Sequence, residues 1–433
     1  MERVCRSLAA MREHVIHLRH GGAYTKARGL ASRLSCATAR TISVAKPVMT
    51  FPSRFVRLDL AREQYGDRVD RLGVFLSKGD PLADAAVDSL AGFPAGVRQS
   101  MVDRALQDGI AAVPDAPEAL RALFAQLDHV PFWVDGSRLD RGGAAFLRAG
   151  LLGGMVLGAY SLVAGYCSPA GNKPLAFSGR LAQDAPRRLA ETGRFVQAVS
   201  TPGGMHRYGD GFKAMVKVRL VHASVRRMLL RSPRWNTAAW GVPINQYDMS
   251  GTALLFSSIV LDGLDKLGFQ MTAEERADFM HLWRYGAYVI GVDEELRCTT
   301  EAEAKALWDL LSNTQAPPDD DSRALANALL DSGVTAARTP EERVRAERAR
   351  VVGYALSRHL LGEQFADWLG YPKTPWRYAV RLFQAINERA GSGVARATGL
   401  PFARVERGAQ YWKFVVDTGL RGVPATFEMP DRV

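Results

Sequence analysis

The chain predicts an all-α fold, one large helical domain with additional helices on its flanks. Three observations carry this. Ser/Thr-x-x-Glu capping boxes recur at Thr272–Glu275, Thr300–Glu303 and Thr339–Glu342, the last with Pro340 at the first helical position. Apolar residues return at helical spacing along most of the chain. Strand-like alternation is scarce.

In chain order, the helical pattern runs through most of 97–127, then 184–199, 211–231 and 252–267. The Thr272 cap opens a helix in which Phe279, Leu282, Trp283, Gly286, Val289 and Ile290 form a buried face. Periodic stretches return at 322–333 and 374–391. Before them, Pro317-Pro318 and Asp319 to Asp321 break the pattern between Ser312 and Ser322. The residues beyond are too few and too charged for a core of their own. The break is therefore expected to be a surface loop within one domain, 49–433.

Charge is unevenly placed. Residues 1–50 hold nine basic and two acidic side chains, so +7 of the net +11 belongs to them and only +4 to the other 383 residues. A body this weakly basic does not predict nucleic acid as a partner. Residues 1–48 are expected to be a basic, flexible tail. Their Arg, Ser and Ala content also fits a transit peptide, and Met49 fits an alternative start. The four cysteines (Cys5, Cys36, Cys167, Cys298) are widely spaced with no C-x-x-C pair, which suits neither a disulfide framework nor zinc. A reducing compartment, the cytoplasm, is the simplest fit.

From Ala149 to Asn172 no residue is charged, a run long enough to cross a bilayer core of roughly 30 Å. A helix buried inside a large bundle explains it as well. With no second comparable run in the chain, no stable membrane span is expected.

The informative stretch is GFKAMVKVRLVHASVRRMLLR, 211–231. At about 100° per residue, Met215 and Leu229 share a face with His222, with Val218 and Val225 to one side and Arg219 and Arg226 to the other. Lys217, Arg227 and Arg231 point the opposite way. In PRRLAETGRFVQAV, Arg188, Thr192, Phe195 and Val199 share a face, Arg187 and Arg194 turn away, and Glu191 sits at the edge. Two helices thus each aim arginine into an apolar interior, where a charge needs a partner. That partner is either a buried carboxylate such as Asp248 or Asp293, or an anionic guest. A helical His with apolar neighbours and nearby Arg is also what a b-type haem needs: an axial nitrogen, hydrocarbon for the macrocycle, cations for the propionates. No C-x-x-C-H, H-x-x-x-H or Glu-x-x-His is present. His206 lies on a Gly-rich loop and could line an entrance, whereas His129, His281 and His359 read as surface or satisfied core residues.

At these residues the chain resembles a family. KVRLVHASVRR (217–227), RRLAETGRFV (187–196), WGVPINQYDMSGT (240–252) and LWRYGAYVIGV (282–292) look like the catalytic domain shared by latex clearing proteins and the fungal oxygenase of mycophenolic acid biosynthesis. The resemblance covers roughly 110–300. It implies a globin-like helical core, non-covalent haem b and cleavage of isoprenoid double bonds by dioxygen. It further implies that His222 is the axial iron ligand, that Arg219 and Arg226 flank it, and that Thr252 lies on the haem side. Arg188 and Thr192 match polar residues of the opposite, distal pocket. Two positions depart: Glu191 stands where latex clearing proteins have a distal lysine, and Asn172 where they have a catalytic glutamate. The expectation is a haem-dependent oxygenase acting with O₂ on a hydrophobic or polyisoprenoid substrate, with Arg188, Thr192 and Glu191 at the reacting side. The alternatives are a non-catalytic haem sensor or carrier, and a cofactor-free helical protein at a membrane.

Overall fold

The computed structural model describes residues 50–177, 181–398, 401–425, 427 and 429; the expected basic tail, 1–48, lies outside them. The fold is all-α, and no strand occurs among the described residues. Its helices are α1 Leu58–Tyr65, α2 Arg68–Val74, α3 Pro81–Leu90, α4 Ala95–Asp108, α5 Glu118–Asp128, α6 Gly136–Ala149, α7 Leu151–Tyr166, α8 Leu181–Ser200 and α9 Asp210–Arg231. There follow α10 Gln246–Phe256, α11 Ser258–Lys266, α12 Ala273–Val289, α13 Glu301–Asn313, α14 Asp320–Ala336, α15 Pro340–Leu361, α16 Trp376–Thr398 and α17 Pro401–Leu420. Residues Met49–Val433 form one compact unit.

The caps act as the sequence predicts, with one adjustment. Thr272–Glu275 and Thr300–Glu303 close complete capping boxes, so two free N–H groups are satisfied at each start. At α15, Thr339 caps Glu342 N, but the Glu342 carboxylate reaches one residue further back, to Arg338 N at 2.7 Å. The break at 312–322 is a loop between α13 and α14.

Single residues interrupt stretches whose periodicity reads as continuous. Gly109, at φ 87°, and Pro114 and Pro117 split 97–127 into α4 and α5. Ser257 leaves helical geometry between α10 and α11. The charge-free run is only partly helical, with α7 taking up Leu151–Tyr166. Gly150, at φ 50°, turns the chain by 86° between α6 and α7, and α7 contains a π-type turn at Leu157–Ser161. Half of the residues of α7 are buried, and Leu151 is exposed. Among the described residues no single helix is long and apolar enough to cross a membrane, although α6 and α7 pass that test as a bent pair.

The core is densest where α6 crosses α12 and α17, with Phe146 stacked on Phe279 at 5.8 Å and beside Trp412 at 5.4 Å. Gly142 permits the crossing with α12, where a Cβ would overlap the Asp278 backbone, and Gly143 the close approach of α8, where a Cβ would overlap the Ser200 backbone. Arg138 and Arg141 close the same crossing on buried Asp278, at 2.6 and 2.7 Å. Helix α9 runs through this core against α3, α8 and α12, which places His222 deep within it.

Candidate functional site

Helix α9 spans Asp210–Arg231, almost the range its periodicity predicts. Met215 and Leu229 are buried with the His222 face, while Lys217 and Arg227 reach outward to Asp103 and Asp88. Neither ring nitrogen of His222 has a hydrogen-bond partner among the described residues, and Nδ1 is fully enclosed. The side chain keeps some accessible surface although it lies deep in the protein. Both hold for a ring that lines an internal space. Burial, with help from the Arg226 charge and against Asp80, pushes its pKa down to about 4. The ring is therefore a neutral imidazole, a Lewis base available to a metal.

That shift has a testable consequence for haem-free protein. The folded-state pKa lies below the unfolded value of about 6.5, so the unfolded chain binds the proton more readily between the two. The contribution to stability is intact above pH about 6.5, falls as the pH drops towards 4 and levels off there, about 3 kcal/mol in all. Urea midpoints measured across this range should show the slope in wild type and lack it in His222→Leu.

The arginines beside His222 are spoken for. Arg219 forms a two-point pair with Asp80 (Nε–Oδ2 2.6 Å, Nη2–Oδ1 3.0 Å), and its Nη1 donates to Gln126 Oε1 at 2.7 Å and to Val289 O at 3.1 Å. Arg226 pairs with Asp84, one turn along α3, and donates to the carbonyls of Pro243 and Ile244 at 3.0 and 2.7 Å. Burial holds the Asp84 pKa above the usual carboxylate value despite the arginine. Of the two kinds of partner left open for Arg219 and Arg226, the structure shows carboxylates. The partners are Asp80 and Asp84, not Asp248 or Asp293, which pair with Arg54 and Lys78. Gly291 completes the clasp: its φ of 87° suits glycine, and a Cβ there would overlap Asp80 and Arg219.

Helix α8 delivers Arg188 and Thr192 to one small cavity, about 40 Å³, shared with Tyr166, Leu162, Leu325 and Leu329. Thr192 Oγ1 donates to Arg188 O at 2.8 Å, which leaves its lone pairs free. Among the described residues Arg188 has no carboxylate partner, in contrast to Arg219 and Arg226. Glu191, expected at the reacting side, turns instead along its own helix to Arg187 at 2.9 Å. Its position at the edge of the apolar face lets the i−4 ion pair win. Asn172 is 2% exposed and donates to Tyr166 O and Ser322 Oγ, so it anchors the end of α7 to α14. Thr252 is exposed, and its hydroxyl donates to Asp248 O at 2.9 Å.

His222 is not among the residues lining the Arg188 cavity. An aromatic cluster links the two helices. Phe195, on the Arg188 face of α8, lies 5.9 Å from Phe256 and 6.3 Å from Trp283. Phe256 stacks on Trp283 at 5.2 Å, and Trp283 Nε1 is buried without a partner among the described residues. Met215, on the His222 face, abuts Gly286, one turn beyond Trp283. Three other histidines have neighbours in the structure, and His129 is exposed. His281 Nε2 accepts from Asp135 N at 3.0 Å, His359 meets Lys266 O, and His206 lies 3.4 Å from Asp140.

A haem b brings its own iron and ring nitrogens, so the protein would have to offer a further nitrogen ligand and hydrocarbon walls. The partnerless imidazole of His222 and the apolar side chains around it fit that group. Among the described residues no three His, Cys, Asp or Glu side chains converge to hold an ion without it.

Three comparisons bear on this site. Residues 140–388 match the family described as ER-bound oxygenase mpaB/B'/Rubber oxygenase, catalytic domain. A rubber oxygenase of Streptomyces sp. (strain K30) is 26% identical over 358 residues, spanning 80% of this chain and 82% of that protein. The fold is similar to the structure of latex clearing protein LCP in the closed state, with a TM-score of 0.57 and 23% identity, over 79% of this chain and 91% of that one.

Proposed function

The chain belongs to the mpaB and rubber oxygenase catalytic-domain family, and from that premise we propose that it is a haem b-dependent oxygenase acting on a hydrophobic, isoprenoid-like alkene. The observation that carries the cofactor is His222, a neutral, deeply buried imidazole with no partner for either nitrogen among the described residues. Haem b, when bound, supplies the redox-active iron at which dioxygen is activated.

The protein's own residues divide the remaining work. His222 would hold the haem iron through a ring nitrogen. The Arg219–Asp80 and Arg226–Asp84 pairs fix α9 in rotation and height, so they position that nitrogen rather than bind propionates. Phe195, Phe256 and Trp283 form an apolar wall that holds the alkene and excludes water. Arg188, which has no carboxylate partner among the described residues, would supply a preorganised cation for developing negative charge, with Thr192 beside it. Cleavage of one C=C by one O₂ yields two carbonyl groups, so the atoms balance without an external reductant.

One observation favours a second reading, a haem protein that binds a gas without turnover. With Glu191 turned to Arg187, no acidic side chain lines the Arg188 cavity among the described residues. Oxygen consumption and carbonyl formation with a panel of short and polymeric isoprenoids separate the two readings. Wild type is expected to consume O₂ with short isoprenoids. Arg188→Ala should lose ~10²-fold or more in rate at equal haem content, the usual worth of such a donor, and Thr192→Ala less. Reversible O₂ binding with no oxidised product would favour the carrier.

A further inference from the structure

We propose that the outer face of α16 is a docking surface for an anionic lipid bilayer. Tyr378, Leu382 and Ile386 follow one another at four-residue steps along α16 and are 59%, 62% and 53% exposed. Residues so spaced form one row on a helix. Trp376, at the start of the helix, is also exposed. The inner face is firmly seated: Val380 is buried, Asn387 Nδ2 donates to Leu267 O at 3.0 Å, and α16 packs on α15. The apolar row therefore faces outward in a well-anchored helix.

Its surroundings select the partner. Lys373, Arg377 and Arg381 are exposed beside the row, and Glu388 is the single acid in 371–388. Arg377 lies 4.7 Å from the Tyr378 ring and donates to its hydroxyl, so charge and aromatic ring stand together at the edge of the row. Exposed apolar side chains flanked by cations, with Trp and Tyr among them, characterise a helix lying in the plane of a bilayer interface. Cations of one sign favour an anionic leaflet over a neutral one. A two-fold pairing of this face with a second copy would instead crowd Arg377 and Arg381 against their equivalents. No residue of this surface belongs to the His222 site, so the proposal stands apart from the haem reading.

The test is co-sedimentation of the full chain with vesicles of phosphatidylcholine alone or mixed with phosphatidylserine. Wild type should sediment with the mixed vesicles, and much less with neutral vesicles or at high salt. Leu382→Asp/Ile386→Asp, checked for unchanged helix content, should lose at least roughly tenfold in partitioning. Arg377→Glu/Arg381→Glu should lose about tenfold or more on mixed vesicles only, from about 1 kcal/mol per charge near such a surface. Leu151→Asp, at an exposed apolar position on a different helix, α7, should sediment like wild type. The proposal is overturned if wild type stays in the supernatant, if the α16 variants sediment normally, or if Leu151→Asp abolishes binding. Concentration-dependent dimerisation that Leu382→Asp removes, without vesicle binding, would overturn it in favour of a second copy.

Discussion

Purified from haem-replete cells, the His222→Ala protein is expected to carry no stoichiometric haem. Loss of a residue that merely supports a metal ligand typically costs roughly 10–100-fold in metal affinity, and loss of the ligand itself should exceed that. The ring sits on an apolar face beside Val218 and Val225, with no other histidine on α9. Removing it should not unfold the protein, because it makes no hydrogen bond among the described residues that would be orphaned. Haem content by absorbance and fold by circular dichroism separate these effects. Added imidazole should restore part of the haem band if the missing group is the axial base. An unchanged Soret band in the variant would remove His222 from the site.

The second large effect is expected on the other side of α9. Asp80→Ala should cost about 3–5 kcal/mol of stability, because it leaves the Arg219 charge buried without its carboxylate. Both side chains are at most 5% exposed, so water cannot replace the partner. Asp80 also caps α3, accepting from Ala83 N, which adds to the loss. The double variant Asp80→Leu/Arg219→Met should recover much of the stability, since an apolar replacement of similar size removes both charges at once. Urea midpoints of the single and double variants measure this. If the double variant is no more stable than Asp80→Ala, the cost lies in the cap or the packing rather than in the unpaired cation. Because the pair is read as positioning α9, the double variant should also bind haem with a shifted Soret band even where its stability returns.

Much of this arrangement is legible in the residues themselves. The spacing of Met215, His222 and Leu229 on one face, with Lys217 and Arg227 opposite, reports a helix whose observed limits differ by one residue from its periodic stretch. Thr272 and Thr300 mark their helix starts through local chemistry, which needs no tertiary context. What escapes is what depends on one residue or on topology. Gly150 turns the chain sharply at the start of the charge-free run, just before α7, and Ser257 interrupts the stretch read as helical over 252–267. The partners of Arg219 and Arg226 lie 139 and 142 positions away, and periodicity carries no information about which carboxylate meets which cation. Asp248 and Asp293 are equally plausible by charge, and the fold assigns them to Arg54 and Lys78. Asp80 leaves one local trace, an Asp-Pro step at a helix start, which identifies a cap but not an ion pair.

The most direct measurement is haem stoichiometry of the wild-type protein, by absorption spectrum and pyridine haemochrome after purification from haem-replete cells. The expected result is one b-type haem per chain, with a Soret band that shifts when an external ligand such as carbon monoxide is added to the reduced protein. A folded, pure protein that shows no Soret band, and takes up no haem on titration, would contradict the assignment of His222 as an iron ligand.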